Sequence, residues 1–599
     1  MDKYEVLKDV FGYSSFRDGQ EKVIDAILSG KDALAIMPTG AGKSVCFQIP
    51  ALILDGVTLV VSPLISLMKD QVNALTQNGI KAAYINGSLS EAQIERAIDN
   101  ARKGEYKIIY VAPERLSTYA FRSLYDYIDI SLVCIDEAHC VSQWGQDFRP
   151  SYLEIKSFIS SLEKRPVLCA VTATATEKVR KDIVKLIGLK NPDVTVLSFD
   201  RKNLYFASVR PKSKPKELRR FLDLYSGKSG IVYCSSRKRT DAICKQLSDE
   251  GYSVTKYHAG MSAQERKRNQ ELFINDEKEI IVATNAFGMG IDKSNVSFVI
   301  HYNMPGDIES YYQEAGRAGR DGCRAECILF YNAADIRTQQ FFIDNPEEND
   351  KLSAYEKEKL RKTRLSKLHT MIDYAESTTC LRKNMLSYFG EEAEDDCKNC
   401  SVCIAKEKTS DITTDAQKVF SCIARVSQKE NKTVISDILL GNKTAYIAKK
   451  GYDSLSTFSI MKNQTLEKLS FLIDYLESTG YIGEIDSALY LKEKARQVLF
   501  SNKRITAQKE NGHAKNKNAD TQEFDKELFE RLRILRKKIA DEKKIPDFVV
   551  FTDASLKAMA RAKPQSEEEF IMISGVGQHK LELYGAVFIK EISKYMAEF

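Results

Sequence analysis

The chain has 599 residues, 43% of them hydrophobic, which is enough for several domains that each bury a core. Its 89 basic and 83 acidic side chains leave a net charge of +6, which permits a polyanionic partner without arguing for one. No apolar run is long enough to span a bilayer, and the opening stretch "MDKYEVLKDVFGYSSF" has neither a charged n-region nor an apolar h-region, so no membrane association and a soluble cytoplasmic protein are expected. Most of the 13 cysteines are scattered singly, which fits a reducing compartment.

In chain order, the first informative element is "KDALAIM", a short apolar run that reads as a buried strand. It leads into "MPTGAGKS" (Met37–Ser44), which supplies the second half of the phosphate-loop pattern G-x-x-x-x-G-K-[ST] but has methionine where the first glycine should stand. "KSVCFQIPALIL" then reads as a helix. The loop therefore lies at a strand-to-helix turn, where backbone N–H groups and the helix dipole can cradle phosphates. Thr39, Gly40, Gly42, Lys43 and Ser44 are the candidate nucleotide contacts, with Lys43 reaching the β- and γ-phosphates and Ser44 ligating magnesium. On the loop alone, an ordinary glycine-rich turn stays open. Downstream, "SLVCIDEAH" (Ser131–His139) is an apolar strand ending in two carboxylates, which would be costly to bury unpaired. Asp136 is placed to hold magnesium and Glu137 to orient and deprotonate an attacking water. The two motifs together predict an ATPase in which Pro38-Thr39-Gly40 still forms the tight turn.

"SQWGQDFRPSY" (Ser142–Tyr152) follows and contains the single tryptophan. Trp144, Phe148 and Tyr152 interleave with Arg149, a combination suited to stacking on unpaired bases while holding phosphates, although three aromatics could also pack the loop into its own core. Further on, Gln313, Arg317 and Arg320 have spacings that fit one helix face, interrupted by Gly316 and Gly319, which an ordinary surface helix would avoid. Cys380 is followed by "CKNCSVC", so Cys380, Cys397, Cys400 and Cys403 form a tetrahedral thiolate set for structural zinc; a redox C-x-x-C is the alternative. "TTDAQKVFSCIARV" and "LEKLSFLIDYLESTGYI" read as amphipathic helices, and "YIGEIDSALYL" (Tyr481–Leu491) as a short hairpin with an acidic tip. "SNKRITAQKENGHAKNKNADTQ" (Ser501–Gln522) reads as a flexible basic linker. In the tail, Arg533, Arg536, Lys537 and Lys538 form a modest basic cluster that could touch phosphates or be a solvated helix face.

"MPTGAGKS" with "DEAH" is the superfamily 2 helicase signature, and the flanking motifs resemble RecQ-family DNA helicases of the bacterial type. The resemblance is carried by "FGYSSFRDGQ" (Phe11–Gln20), "SPLISLMKDQ" (Ser62–Gln71), "VAPERL" (Val111–Leu116), "VTATAT" (Val171–Thr176), "YHAGMSAQER" (Tyr257–Arg266), "VATNAFGMGIDK" (Val282–Lys293) and "ESYYQEAGRAGRDG" (Glu309–Gly322), in that order. It implies that Tyr13 stacks on adenine, Arg17 helps to clamp it and Gln20 reads its edge, an amide being able to donate and accept at once. It also implies that Arg317 and Arg320 enter the cleft from a second domain, with Gln313, to neutralise the transferring phosphoryl group, and that the Trp144 loop couples DNA contact to hydrolysis. The hairpin resembles the family's strand-separating wedge, and "ISGVGQHK" (Ile573–Lys580) its C-terminal helical turn.

The expected fold is α/β: two RecA-like parallel-sheet motor domains (1–205 and 206–340), a helical zinc-binding module (341–408), a winged helix (409–502), a linker (503–522) and a small all-α HRDC-like domain (523–599). The expected activity is magnesium-dependent ATP hydrolysis driving movement along single-stranded DNA and unwinding of duplex, with 3′→5′ polarity taken from the resemblance. Cofactors are ATP, Mg2+ and Zn2+. The resemblance adds single-stranded and forked duplex DNA and a single-stranded-DNA-binding protein as partners, a monomer, a nucleoid-associated location, and recombination, repair and the SOS response as the setting. A strand remodeller without processive unwinding and a non-enzymatic DNA scaffold are the rivals.

Overall fold

The computed structural model describes residues 2–598 except 88, 119–120, 123–126, 146, 289–292, 294, 346–352, 408, 486, 501–503, 509–523, 544 and 546. The first domain is a seven-stranded sheet built from β1 (Ala33–Ile36), β2 (Val57–Val61), β3 (Ala82–Ile85), β4 (Ile108–Val111), β5 (Ile130–Ile135), β6 (Val167–Thr172) and β7 (Asp193–Val196). Their order is β3-β4-β2-β5-β6-β1-β7, and every neighbouring pair is parallel. The central strands are apolar throughout because helices cover both faces, as parallel sheets require. The second domain repeats the plan with six parallel strands, β8 (Leu204–Val209), β9 (Gly230–Tyr233), β10 (Val254–Tyr257), β11 (Ile280–Ala283), β12 (Phe298–His301) and β13 (Ala325–Phe330), in the order β10-β11-β9-β12-β13-β8. Between β7 and β8 the chain crosses from one sheet to the other in seven residues, 197–203.

In such open sheets the working surface is the edge formed by the carboxyl ends of the strands. The phosphate loop leaves β1 there, and the two carboxylates leave β5, with β6 lying between these strands. Beyond the second sheet, a 22-residue helix (Ala354–Ala375) and the helix Leu381–Tyr388 lead to the cysteine cluster.

A second compact unit spans 403–518. Its helices Thr413–Arg425, Lys432–Leu440 and Leu466–Ser478 close over Phe420, Ile423, Ile438 and Ile473, and the strands Ile482–Ile485 and Ala488–Leu491 pair antiparallel as the hairpin. This is the winged helix. The linker expectation needs one correction here: Thr506–Gln508 is a strand that pairs with Thr409–Asp411, and Ile505 is buried in the same core. A β-branched pair in "RITAQ" suits a pleated edge better than a free tether. Residues 509–522 of the expected linker lie outside the described residues.

The C-terminal helices Lys526–Lys543, Asp553–Ala562 and Ala586–Glu598 enclose Leu532, Phe551, Phe570 and Phe588, and they rest on the motor. The Gly575 N–H donates to the Gly12 carbonyl (2.8 Å), and the Tyr584 hydroxyl donates to Gln77 Oε1 (2.8 Å). The turn "SGVG" thus spends part of its backbone on the motor. Among the described residues, no helix is long and apolar enough to cross a membrane.

Candidate nucleotide site and DNA groove

The phosphate loop resolves the methionine problem directly. Gly40 (φ 86°) and Gly42 (φ 81°) take the left-handed conformations, while Met37 is not among the positive-φ residues and needs no glycine. Its side chain is buried in the core against Cys46, with the sulfurs 3.7 Å apart, and its carbonyl accepts from the Lys43 ammonium (3.3 Å). Lys43 and Ser44 begin the helix Lys43–Ile53, so amide groups and the positive dipole end face the same space. Burial lowers the Lys43 pKa, while Glu137 and Asp136 pull it the other way.

At the end of β5, the Glu137 N–H donates to Asp136 Oδ1 (2.9 Å). Glu137 itself has φ 45°, a left-handed position that costs a non-glycine residue about 1–3 kcal/mol and is typical of functional sites. Burial and the adjacent Glu137 charge push the Asp136 carboxyl well up. For Glu137 burial works the same way, but His139, Lys43 and Arg317 outweigh it and hold the carboxyl down. The His139 ring lies 3.3 Å from Glu137 Oε2, and its Nδ1 shares a 2.7 Å hydrogen bond with the Thr172 hydroxyl at the end of β6. Asp136 and the Ser44 hydroxyl offer only oxygen donors, which suit a hard cation such as magnesium.

From the second domain, the helix Ile308–Ala315 carries Gln313 and ends at Gly316. The expectation of one helix face for Gln313, Arg317 and Arg320 is therefore corrected: both arginines lie on a turn after the helix, with Gly319 at φ 58°. Gly319 and Gly40 take left-handed φ, and a Cβ on Gly316 would press on the Tyr312 carbonyl (3.0 Å). The turn lies beside the phosphate loop: a Cβ on Gly316 would be in ordinary contact with Thr39 (3.6 Å), and one on Gly40 with Arg320 (3.8 Å). Arg317 is buried, and its Nε has no hydrogen-bond partner among the described residues, a donor that an anion would satisfy.

Gln20 is buried beside the same loop: its amide nitrogen donates to the carbonyls of Ala41 (3.2 Å) and Gly42 (3.1 Å), and its oxygen accepts from the Arg17 N–H. The Arg17 guanidinium donates to the Gly40 carbonyl (2.6 Å), and half-buried Tyr13 packs at the rim of the core. Arg17 and Gln20 thus reach the phosphate loop itself.

The tryptophan loop packs on the backbone of the segment that follows the two carboxylates. A Cβ on Gly145 would overlap the His139 carbonyl oxygen, and the Arg149 N–H donates to the Cys140 carbonyl (2.9 Å). Tyr152 needs correction as a base-stacking residue: it is fully buried, and its hydroxyl donates to the Asp136 carbonyl (2.9 Å). Trp144 is half-buried with the Lys178 ammonium 2.8 Å from its ring centroid, so a base stacking on that face has to displace a cation. Arg149 is held by Asp147 (2.8 Å) and the Pro63 carbonyl (2.9 Å). Phe148 lines a groove of about 1040 Å³ together with Lys357, Arg361, Arg364 and Lys367 of the long helix. Sequence reasoning missed these four basic residues, although "EKEKLRKTRLSKLH" signals a basic helix face. Lys367 joins the two domains across the groove, donating to the Gly145 carbonyl (3.3 Å) and pairing with Glu309 (2.9 Å).

The four predicted cysteines meet: the sulfurs of Cys380, Cys397, Cys400 and Cys403 lie within 4.8 Å of one another. Cys380 Sγ accepts from the Lys383 N–H and Cys397 Sγ from the Asn399 N–H, both at 3.4 Å, the backbone support that thiolate ligands use. Four thiols without an open position fit structural zinc.

Comparison with known proteins follows this geometry along the chain. Family descriptions match for a DEAD/DEAH box helicase (residues 17–183), a helicase conserved C-terminal domain (213–322), RecQ zinc-binding (333–404), an RQC domain (406–516) and an HRDC domain (525–592). The chain is 42% identical to the ATP-dependent DNA helicase RecQ of Bacillus subtilis over 594 residues, covering 98% of each. The corresponding Haemophilus influenzae protein is also 42% identical, over 99% of this chain and 96% of that one. The RecQ-like DNA helicase BLM of Xenopus laevis is 33% identical over 99% of this chain but only 46% of its own length. The chain belongs to the RecQ family of ATP-dependent DNA helicases.

One basic cluster of this helicase is reassigned by the structure. Arg536 is buried, donating to the Phe551 carbonyl (2.9 Å) and pairing with Asp553 (2.7 Å), so it braces the HRDC core and does not face phosphates. Arg533 pairs with Glu530 (2.9 Å). The buried stripe of this helix, Leu528, Leu532, Arg536 and Ala540, repeats every four residues and takes in Arg536, whereas Arg533 falls one position off it.

Proposed function

We propose that this helicase couples magnesium-dependent ATP hydrolysis to 3′→5′ movement along single-stranded DNA and to unwinding of the duplex ahead, in recombination and repair. Lys43 and the loop amides bind the phosphates, Ser44 and Asp136 hold magnesium, and Tyr13, Arg17 and Gln20 address the base. Magnesium, when bound, neutralises charge on the phosphates and orients them. Glu137, kept ionised by His139 and Lys43, orients the attacking water and takes its proton as the bond to the γ-phosphorus forms. Arg317 and Arg320 stabilise the charge that shifts toward the leaving diphosphate.

The observation that carries the coupling is the backbone continuity from Trp144 to the carboxylates: Gly145 against the His139 carbonyl, and Tyr152 on the Asp136 carbonyl. DNA that moves Trp144 and Phe148 pulls on the segment that aims Glu137. Trp144→Ala is the test. Base–aromatic stacking is worth about 1–3 kcal/mol, and the basic residues of the groove offset much of it, so affinity for single-stranded DNA is expected within about tenfold of the parent. DNA stimulation of ATP hydrolysis and efficient unwinding are expected to be lost. ATPase rate against DNA concentration, beside a binding isotherm, measures both; near-parental stimulation would reduce Trp144 to core packing. The short hairpin keeps one other reading in view. Its strands are four residues each and Glu484 is exposed near the tip, which favours a remodeller over a forceful wedge.

A further inference from the structure

Arg201 lies in the seven-residue crossing between the two motor sheets, and nothing in its sequence context marks it as part of the site. Its guanidinium nevertheless reaches the floor of the cleft. Nη1 donates to the carbonyls of Thr39 (2.9 Å) in the phosphate loop and Gly316 (3.4 Å). Nη2 donates to Ala318 (3.1 Å) and Gly319 (2.8 Å), both in the turn that carries Arg317 and Arg320. The remaining Nε donates to Asn203 (3.4 Å), whose own amide donates to Gly319 (2.9 Å) and Cys323 (2.8 Å). Four carbonyl acceptors in two loops from two domains are thus bridged by one planar fork. Among the described residues no carboxylate pairs with Arg201, so its donors are spent on four backbone carbonyls and the Asn203 side-chain amide.

The base of this fork is held equally firmly. Arg382, beside the cysteine cluster, pairs with Asp200 and donates to the carbonyls of Arg201 (2.9 Å) and Leu204. Phe199 stacks on Phe389 (centroids 4.5 Å apart, planes 12°), its N–H donates to Glu391 (2.7 Å), and its carbonyl accepts from the Tyr312 hydroxyl (2.8 Å).

We propose that Arg201 is a positioning residue for phosphoryl transfer: it fixes the distance between the phosphate loop and the Gly316–Gly319 turn, and so aims Arg317 and Arg320. It touches no reacting atom itself. Lysine cannot replace it, because a single ammonium is a point charge that reaches one loop and leaves the other untethered. The inference rests on the ATPase reading above, and the two fail differently. Absence of DNA-stimulated turnover in the unmodified protein overturns both.

The experiment uses full-length Arg201→Gln and Arg201→Lys, each in the parent and in a partly active Arg320→Lys background. ATP hydrolysis is measured against ATP and against single-stranded DNA, beside thermal melting. A misplacement near 1 Å costs on the order of 10²-fold in rate, so kcat is expected to fall about 10- to 100-fold in both variants. KM for ATP and the DNA affinity are expected to stay within about threefold, since the binding groups are untouched, and Tm should barely move. In the Arg320→Lys background the further loss should shrink to about twofold, because Arg201 acts through that arginine. A brace of merely structural importance would lower Tm, or raise KM and lower kcat alike, and would multiply in full with Arg320→Lys. Either result, or a kcat within twofold of the parent for Arg201→Lys, overturns the proposal. Should Arg201→Gln fail to fold, Arg201→Lys alone carries the test with the same thresholds.

Discussion

Lys43→Ala and Glu137→Gln are each expected to abolish measurable ATP turnover, while binding of single-stranded DNA survives. Lys43 is the cation inside the loop that cradles the phosphates, and its ammonium already lies against the Met37 carbonyl at the loop's start. Removing one preorganised charge at such a centre costs roughly 10²–10³ in rate. Losing a positioned proton acceptor costs about 10²–10⁴. Glutamine at 137 keeps the shape but cannot take the proton, and it gives up the ion pair with His139. Burial opposes charge on His139, yet Cys140 and Glu137 hold its pKa up at about 10, so the imidazolium then loses the carboxylate facing it. The groove side chains Phe148, Arg361 and Arg364 are not altered, so affinity for DNA is retained. Phosphate release with and without DNA, beside a binding isotherm, checks both halves; turnover near the parent level in either variant removes the assignment.

Cys400→Ser is expected to yield protein that lacks zinc and is largely insoluble, and Cys397→Ser to do so to a lesser degree. Thiolate ligation in such modules is folding energy, roughly 10–16 kcal/mol in zinc-finger peptides. Cys400 is fully buried and Cys397 half-buried, which sets the order of the two effects. The loss spreads, because the helix that starts at Cys380 carries Arg382 and leads to Phe389, the side chains that grip the crossing between the motor sheets. Soluble fractions of these variants are therefore expected to show reduced turnover although every ATP-binding motif is intact. Metal analysis and solubility measure the effect; native protein without zinc, or Cys400→Ser with parental melting, contradicts it.

The α/β class is legible in the sequence because buried parallel strands must be apolar along their whole length, so "ALAI", "VTLVV" and "ISLVCI" announce themselves next to motifs of fixed spacing. Motif chemistry brings Lys43, Asp136 and Glu137 to one edge for the same reason. Periodicity fails where glycine decides the path: 313, 317 and 320 fit a helix on paper, but the helix ends at Gly316 and the chain turns through Gly319 at a left-handed φ. An aromatic's exposure is likewise hidden from a linear pattern. Trp144 and Tyr152 look equivalent in "SQWGQDFRPSY", yet one is half-buried at the loop and the other lies beneath Asp136. Arg201 is invisible for a further reason: its backbone partners are carbonyls of residues 115 to 162 positions away, which carry no residue-type signal at all.

Strand displacement on three duplexes, with a 3′ tail, with a 5′ tail and forked, with and without ATP, tests the central claim most directly. Directional unwinding powered by this site predicts ATP-dependent release from the 3′-tailed and forked duplexes and little from the 5′-tailed one. Equal release from both tails, release without ATP, or vigorous ATP hydrolysis with no strand release on any duplex would contradict it.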